Sequence, residues 1–234
     1  MSPTEESEGV VLAARKLGYH PPSAPKPLLT DVSIDLRAGQ CGLVTGISGS
    51  GKTTLLRVLS GLAPGGGETG QVCVDGKMAD TAARRRAVGV VFQQPSRHFV
   101  ADTLVAEFTY AWPPADKEPR EVRLRRAAEV QGCLALLGLA SLPLDAKLDT
   151  LSGGQQRRVA IAAQLARQPH ALLLDEPFAG LDWRSRQGLL PLLRAAARDT
   201  NRAVLIVSHD NEELRAVADA EWRMDVGGTC ERIL

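Results

Sequence analysis

The clearest chemical capacity in the chain lies in Gly46, Ile47, Ser48, Gly49, Ser50, Gly51, Lys52 and Thr53, which read G-x-x-x-x-G-K-T. Glycines at this spacing let successive backbone N–H groups turn toward one point and form a nest for an anion. The lysine after the last glycine is placed to reach the β- and γ-phosphates of a nucleotide, and the threonine hydroxyl beside it suits Mg²⁺. Such a loop needs a strand before it and a helix after it. Gln40 to Thr45 supplies a short apolar strand through Leu43 and Val44. Thr54 to Leu62 places Leu55, Leu56, Val58 and Leu59 at helical spacing. A helix beginning at the loop adds the positive end of its dipole.

A second group of residues sits at other element ends. His170 to Leu174 reads as a buried strand running into Asp175-Glu176. In a doubly wound sheet, a carboxylate there is placed to hold Mg²⁺ through water. Glu176, next along, is free to polarise an attacking water as general base. Ala203 to Val207 is another apolar strand, with Ser208-His209 at its end. That histidine either meets solvent or joins the strand-end acids as a third polar group. Leu151-Ser152-Gly153-Gly154-Gln155 opens a helix, with Ser152 suited to the N-cap and the glycines leaving its first amides uncovered. Two phosphate-binding helix ends in one chain are economical if the second serves the nucleotide held by another copy.

The elements that must position these groups follow in order. Val10 to Leu17 and Leu28 to Leu36 read as strands, the second through Leu29, Val32, Ile34 and Leu36, with Arg37-Ala38-Gly39 as a turn. Between them Tyr19 looks like an exposed aromatic, either a base-stacking group or an ordinary packing tyrosine. Pro64 to Gly70 is a glycine-rich turn, Gln71 to Val74 a short strand and Asp75-Gly76 a hairpin signal. Arg84-Arg85-Arg86 reads as a solvated face, with anionic lipid or a partner as the second reading. Val88 to Phe92 is a strand leading into the loop Gln93-Gln94-Pro95. Thr103 to Leu139 turns helical, interrupted by Pro113-Pro114. Within it Arg120 to Leu137 sets Val122, Leu124, Ala127, Val130, Leu134 and Leu137 among charges. Ala179-Gly180-Leu181-Asp182 caps a helix from Trp183 to Ala197. Asn211 to Asp219 predicts a last helix, and Trp222 to Val226 with Thr229 to Ile233 a closing β-pair.

Composition narrows the classes. At 234 residues, the chain is long enough for one large α/β domain, and 28 basic against 27 acidic residues give no global charge that would attract nucleic acid. The cysteines at 41, 73, 133 and 230 are too far apart for a metal knuckle and read as buried thiols of a reducing compartment. Met1 to Glu8 carries Glu5, Glu6 and Glu8, so neither a secretory signal nor a basic transit peptide is expected. Cys133 to Leu144 is too short and too interrupted to span a bilayer.

Taken together, the phosphate loop, Gln93, Leu151 to Gln155, Leu172 to Glu176, Ala179 to Asp182 and His209 resemble the ATP-binding subunit of ABC transporters in order and spacing, across essentially the whole chain. The resemblance implies an α/β fold: a P-loop NTPase (RecA-like) core with an N-terminal antiparallel β-subdomain and an inserted α-helical subdomain. It implies one domain over 1–234, with core 1–94 and 169–234 and helical subdomain about 95–168. ATP and Mg²⁺ are the implied cofactors. Tyr19 would stack on adenine, while Gly46 to Thr54, with Lys52 foremost, would hold the phosphates. Thr53, Gln93 and Asp175 would hold Mg²⁺, and Gln93 also the lytic water. Glu176 would be the base, with His209 on the γ-phosphate. Ser152, Gly153, Gly154 and Gln155 would face the γ-phosphate of a second ABC ATPase subunit, and Asp182 would communicate across that dimer.

A finer resemblance runs through Phe92-Gln93-Gln94-Pro95, Phe99-Val100-Ala101-Asp102-Thr103, Gly180-Leu181-Asp182-Trp183 and Trp222-Arg223-Met224. These look like energy-coupling-factor and cobalt-type importer ATPases, and closest to a chloroplast member of the soluble ABC subfamily I. The acidic cluster usual in the importers is reduced here to Glu107. The implied function is ATP hydrolysis that energises a separate transmembrane subunit, with import of a metal ion or vitamin-like micronutrient. The alternative is a soluble ATPase of iron–sulfur cofactor assembly. The implied location is the stromal face of a chloroplast membrane, or the cytoplasmic face in a bacterium.

Overall fold

The computed structural model describes residues 9–94, 99–209 and 212–234. Met1 to Glu8, Pro95 of the loop after Gln93 and Asn211 at the start of the last expected helix lie outside the described residues. A first, antiparallel sheet joins β1 (Val10–Tyr19), β2 (Leu29–Arg37), β4 (Glu68–Val74) and β5 (Lys77–Met78) in the order β2-β1-β4-β5. A second sheet of six strands contains β3 (Cys41–Thr45), β6 (Val88–Val91), β7 (Ala171–Asp175), β8 (Ala203–Ser208), β9 (Ala220–Met224) and β10 (Cys230–Arg232). Its order is β10-β9-β3-β8-β7-β6, parallel except for the closing β9/β10 pair.

Strands β3, β7 and β8 are buried along their whole length, which is why they read as continuous apolar runs. Their side chains still divide by the two-residue period. Leu43, Leu172, Leu174, Val204 and Ile206 join one core layer, and Val44, Leu173, Leu205 and Val207 the other. The second layer is closed by α1 (Lys52–Leu59), whose Leu55, Leu56, Val58 and Leu59 are all buried, and by the antiparallel sheet. The first is closed by α5 (Gly153–Ala166) and α6 (Trp183–Arg198). In β2 the step from Leu29 to Val32 breaks strict alternation because the pairing with β1 is irregular there. Asp31 (φ 51°) and Lys16 (φ 48°) adopt left-handed backbone around that shift. Asp75 and Gly76, at φ 48° and 71°, make the expected tight hairpin turn.

Between β6 and β7 lie α3 (Leu104–Thr109), α4 (Arg120–Leu136), the 3₁₀ turn Leu148–Thr150 and α5, the inserted helical subdomain. Strand β8 leads to the short α7 (Glu212–Arg215), much less than the helix expected through Asp219.

Three local expectations are corrected. Arg84 does not lie on a solvated face, whereas Arg85 and Arg86 are exposed as expected. They belong to α2 (Thr81–Ala87), and Arg84 is only 4% exposed. Its Nη1 donates to the Val58 carbonyl (2.6 Å), its Nη2 pairs with Glu68 (2.8 Å), and Arg85 Nε donates to Gly61 (2.7 Å), so these cations satisfy carbonyls at the end of α1. The apolar stripe expected along α4 is buried only at its C-terminal end. Leu134 and Leu137 are core residues, but Val122 and Leu124 are both exposed, at 37% and 59%. Of the four free cysteines only Cys41 is fully buried, and there burial and the nearby Asp219 push the thiol up to about 12.

Candidate functional site

Strand register assembles the site. Thr45, the last residue of β3, lies level with Ser208 at the end of β8, and Asp175, the last residue of β7, lies level with Val207. The parallel strands therefore deliver their C-terminal ends to one edge, where a doubly wound sheet binds its ligand. Along that edge, a cleft of about 250 Å³ is lined by Leu28, Ser48, Gly49, Gly51, Lys52, Thr53, Thr54, Gln93, Asp175, Glu176 and His209. Residues from four separate chain segments, expected to act together, thus meet in one place.

The phosphate loop has its crest, Ile47 to Gly49, exposed, and its end tied into the fold. Gly51, at φ 102°, is the residue before α1, and a side chain there would come within 2.7 Å of the Leu28 carbonyl. Only glycine meets both demands. Lys52 Nζ donates to the carbonyls of Gly46 (2.6 Å) and Ile47 (2.9 Å), so the ammonium lies over its own loop. Burial lowers its pKa, while Glu176 and Asp175 raise it again. Thr53 Oγ1 donates to Asp175 Oδ2 at 2.9 Å. Burial raises the Asp175 pKa, and the Thr53 hydrogen bond works against that.

Glu176 follows the strand in a left-handed conformation (φ 47°), its N–H donating to the Val207 carbonyl at 2.9 Å. The bend turns its carboxylate back over β8. Oε2 accepts from Ser208 Oγ (2.9 Å), Oε1 accepts from the His209 backbone N–H (2.8 Å), and His209 Nε2 stands 3.5 Å from Oε1. Both oxygens are oriented, yet the side chain remains 15% exposed toward the cleft.

The expected second anion site is formed as a helix start but belongs elsewhere. Ser152 caps α5 in a reciprocal box: its Oγ accepts from Gln155 N–H (3.3 Å), and Gln155 Oε1 accepts from Ser152 N–H (2.9 Å). None of Ser152 to Gln155 lines the cleft at Lys52. Gly153 instead borders an open groove shared with Gln93, Gln94 and Ala179 to Leu181. Asp182 caps α6, accepting from Ser185 N–H (3.0 Å) and Oγ (2.8 Å), which holds its carboxyl below the usual range.

Tyr19 is corrected. It is 3% exposed, packed in the core layer under the antiparallel sheet, and its hydroxyl donates to the Pro64 carbonyl at 3.1 Å. The packing reading holds, and the ring is not presented to the cleft. The sequence reading missed three residues. Leu28 is exposed at the mouth of the cleft, placed there by the loop that Gly51 and Gly228 pack against. Ser208 directly holds Glu176, and its position before His209 was the available signal. Arg157 is buried although it looks like half of a surface Arg-Arg pair.

The model of the ABC transporter family matches residues 29–179 of this chain. The chain belongs to the ABC transporter family. A second match, to an AAA domain described as a putative AbiEii toxin, spans residues 144–215. ABC transporter I family member 11, chloroplastic, of Arabidopsis thaliana is 39% identical over 224 residues, covering 93% of this chain and 79% of that protein. A putative ABC transporter ATP-binding protein of Halobacterium salinarum is 42% identical over 190 residues, covering 80% and 78%. Among solved structures, cbiO1 of Clostridium perfringens, described as part of the ABC transporter complex cbiONQ, superposes with a TM-score of 0.83 at 26% identity, covering 97% of this chain and 88% of that one. As an ABC cassette, the chain binds and hydrolyses ATP. No helix among the described residues is long and apolar enough to cross a membrane.

The donor set suits magnesium. A hydroxyl and a carboxylate 2.9 Å apart, with the Gln93 amide on the same cleft, are hard oxygen donors. Their small number fits an ion that keeps waters and takes its other ligands from phosphate.

Proposed function

We propose that this chain is the nucleotide-binding subunit of an importer-type ABC transporter, working as a head-to-tail dimer. Each phosphate loop would face the Ser152–Gln155 helix start of a second ABC ATPase subunit. The observation that carries this reading is the separation of the two anion sites. The capped start of α5 is exposed, but it takes no part in the cleft at Lys52. A phosphate-binding helix end with no phosphate to serve in its own chain finds one in a second copy.

In this reading the chain is one domain, core 1–94 and 169–234 with helical subdomain about 95–168. Gly46 to Thr54 cradle the phosphates, and Lys52 leaves its loop carbonyls for the β- and γ-oxygens. Thr53, Asp175 and Gln93 hold Mg²⁺, which supplies charge neutralisation on the phosphate oxygens. Glu176 orients and polarises the attacking water, and His209 contacts the γ-phosphate. Asp182 sits at the turn that meets the other subunit. Tyr19, buried as it is, has no part in this assignment. The cbiO1 likeness and the shared motifs after Gln93 support coupling to a separate transmembrane subunit, with import of a metal ion or vitamin-like micronutrient. The chloroplast relative supports a stromal membrane face.

Two measurements test this. Glu176→Gln is expected to keep ATP binding, to accumulate an ATP-dependent dimer on gel filtration and to lose turnover. Unaltered steady-state hydrolysis would sink the assignment. Detergent pull-down with mass spectrometry separates the transport role from the alternative: a polytopic membrane protein supports transport, and a soluble iron–sulfur scaffold in its place would refute it.

A further inference from the structure

We propose that Arg157 is a positioning residue that locks the signature helix α5 to the hydrolytic loops of its own chain, so that contact between α5 and the other subunit's nucleotide is felt at Glu176. The inference rests on the dimer proposed above. Arg157 is 4% exposed and one turn into α5 from the Ser152 cap. Its Nη1 donates to the Glu176 carbonyl (3.0 Å). Its Nη2 donates to the Gln93 carbonyl (2.9 Å) and to the Ala179 carbonyl (3.1 Å). One guanidinium thus ties together the residue at the end of β6, the general base after β7 and the turn that leads to Asp182. All three acceptors are main-chain atoms, so the bonds fix loop backbone rather than a side chain.

The geometry requires arginine. A planar fork of N–H donors reaches separate acceptors at once, whereas an ammonium is a point charge that follows one or two of them. The arrangement also tolerates a cost, since Arg157 Nε is buried with no partner among the described residues. From Ser152 to Arg157 the helix advances about 7 Å, a rigid distance because the capping box and the i→i−4 ladder join the two ends. Displacement of the α5 start by a phosphate must therefore move or brace the three carbonyls. Among the described residues, Arg158, the next along, donates at 3.4 Å to the Gly154 and Leu137 carbonyls rather than to these loops.

The test uses the purified full chain with MgATP and the variants Arg157→Gln and Arg157→Lys. Three quantities are read: ATP affinity, kcat, and amide hydrogen exchange over 177–182 against the strands β3, β7 and β8. For Arg157→Gln we expect ATP affinity within about threefold of wild type, because Arg157 does not line the Lys52 cleft. We expect kcat reduced at least 30-fold, and exchange over 177–182 at least tenfold faster while the strand amides keep their protection. Arg157→Lys should fall between the two and decides by the same criteria if the glutamine variant does not fold. An Arg157→Gln kcat within twofold of wild type overturns the inference. So does a loss of activity in which the strand amides loosen as much as 177–182, since that is a purely structural role. A wild-type chain that hydrolyses ATP beside an unimpaired variant removes this inference alone. A wild-type chain that binds no ATP removes the proposed function and the inference with it.

Discussion

Removing the Ser208 hydroxyl should slow hydrolysis through Glu176 without touching nucleotide binding. The Glu176 carboxylate is held by two donors of its own chain, Ser208 Oγ at 2.9 Å and the His209 N–H at 2.8 Å. Hydrogen bonds to a charged group contribute about 1.5–3 kcal/mol, and the 15% exposure of Glu176 lets water replace part of the loss, so the lower end applies. In Ser208→Ala the carboxylate keeps one anchor and can rotate about it. If the lost bond held the productive rotamer, about 1.5 kcal/mol corresponds to a fall in kcat of about tenfold, and the same energy should appear as a lower urea midpoint with unchanged slope. The KM for ATP should stay within about twofold, because Ser208 does not line the cleft. Ser208→Thr restores the hydroxyl on a residue that favours strands and should recover most of the rate. Steady-state kinetics and urea unfolding of the three proteins make the assay. A Ser208→Ala enzyme with wild-type kcat, or a Thr variant as slow as the Ala variant, would refute the idea that this hydroxyl orients the base.

Arg84→Ala should destabilise the chain by about 1–3 kcal/mol in urea, because it strands the Val58 carbonyl at the end of α1, while the exposed Glu68 carboxylate is rehydrated; a change under 0.5 kcal/mol would return Arg84 to a surface role. Ser152→Ala should cost about 1 kcal/mol through loss of the α5 cap, leave ATP binding by the single chain intact and still impair hydrolysis; loss of binding would argue that both anion sites serve one nucleotide. Asp175→Asn should raise the thermal midpoint of the nucleotide-free chain at pH 8 while ending MgATP hydrolysis, since an amide oxygen still accepts from Thr53. Burial raises the Asp175 pKa, so the folded chain holds that proton more readily than the unfolded one. The carboxylate therefore costs stability above its folded pKa, and the cost vanishes as pH falls below the ordinary aspartate value of about 3.9. Melting curves of both proteins should accordingly converge on the acid side, and a gap that widens there would contradict the burial argument.

What the amino-acid order determined by itself was mainly local, although the periodic reading of α4 failed along most of that helix and the last helix is shorter than expected. The phosphate loop needs glycines at fixed offsets, the strands β3, β7 and β8 are runs of apolar residues, and the caps Ser152 and Asp182 act within three residues of themselves. Because parallel strands end at a common edge, Lys52, Asp175, Glu176 and His209 could be assigned to one site before any geometry was known. Tertiary structure decided what depends on partners distant in sequence. Arg84 and Arg157 look like surface charges, yet each is buried against carbonyls tens of residues away, and no window of neighbouring residues reports that. Tyr19 was sent inward rather than outward by a carbonyl at Pro64, 45 positions along. Packing alone separated the Ser152 helix start from the Lys52 cleft, and that separation is the physical ground for reading this chain as half of a composite site.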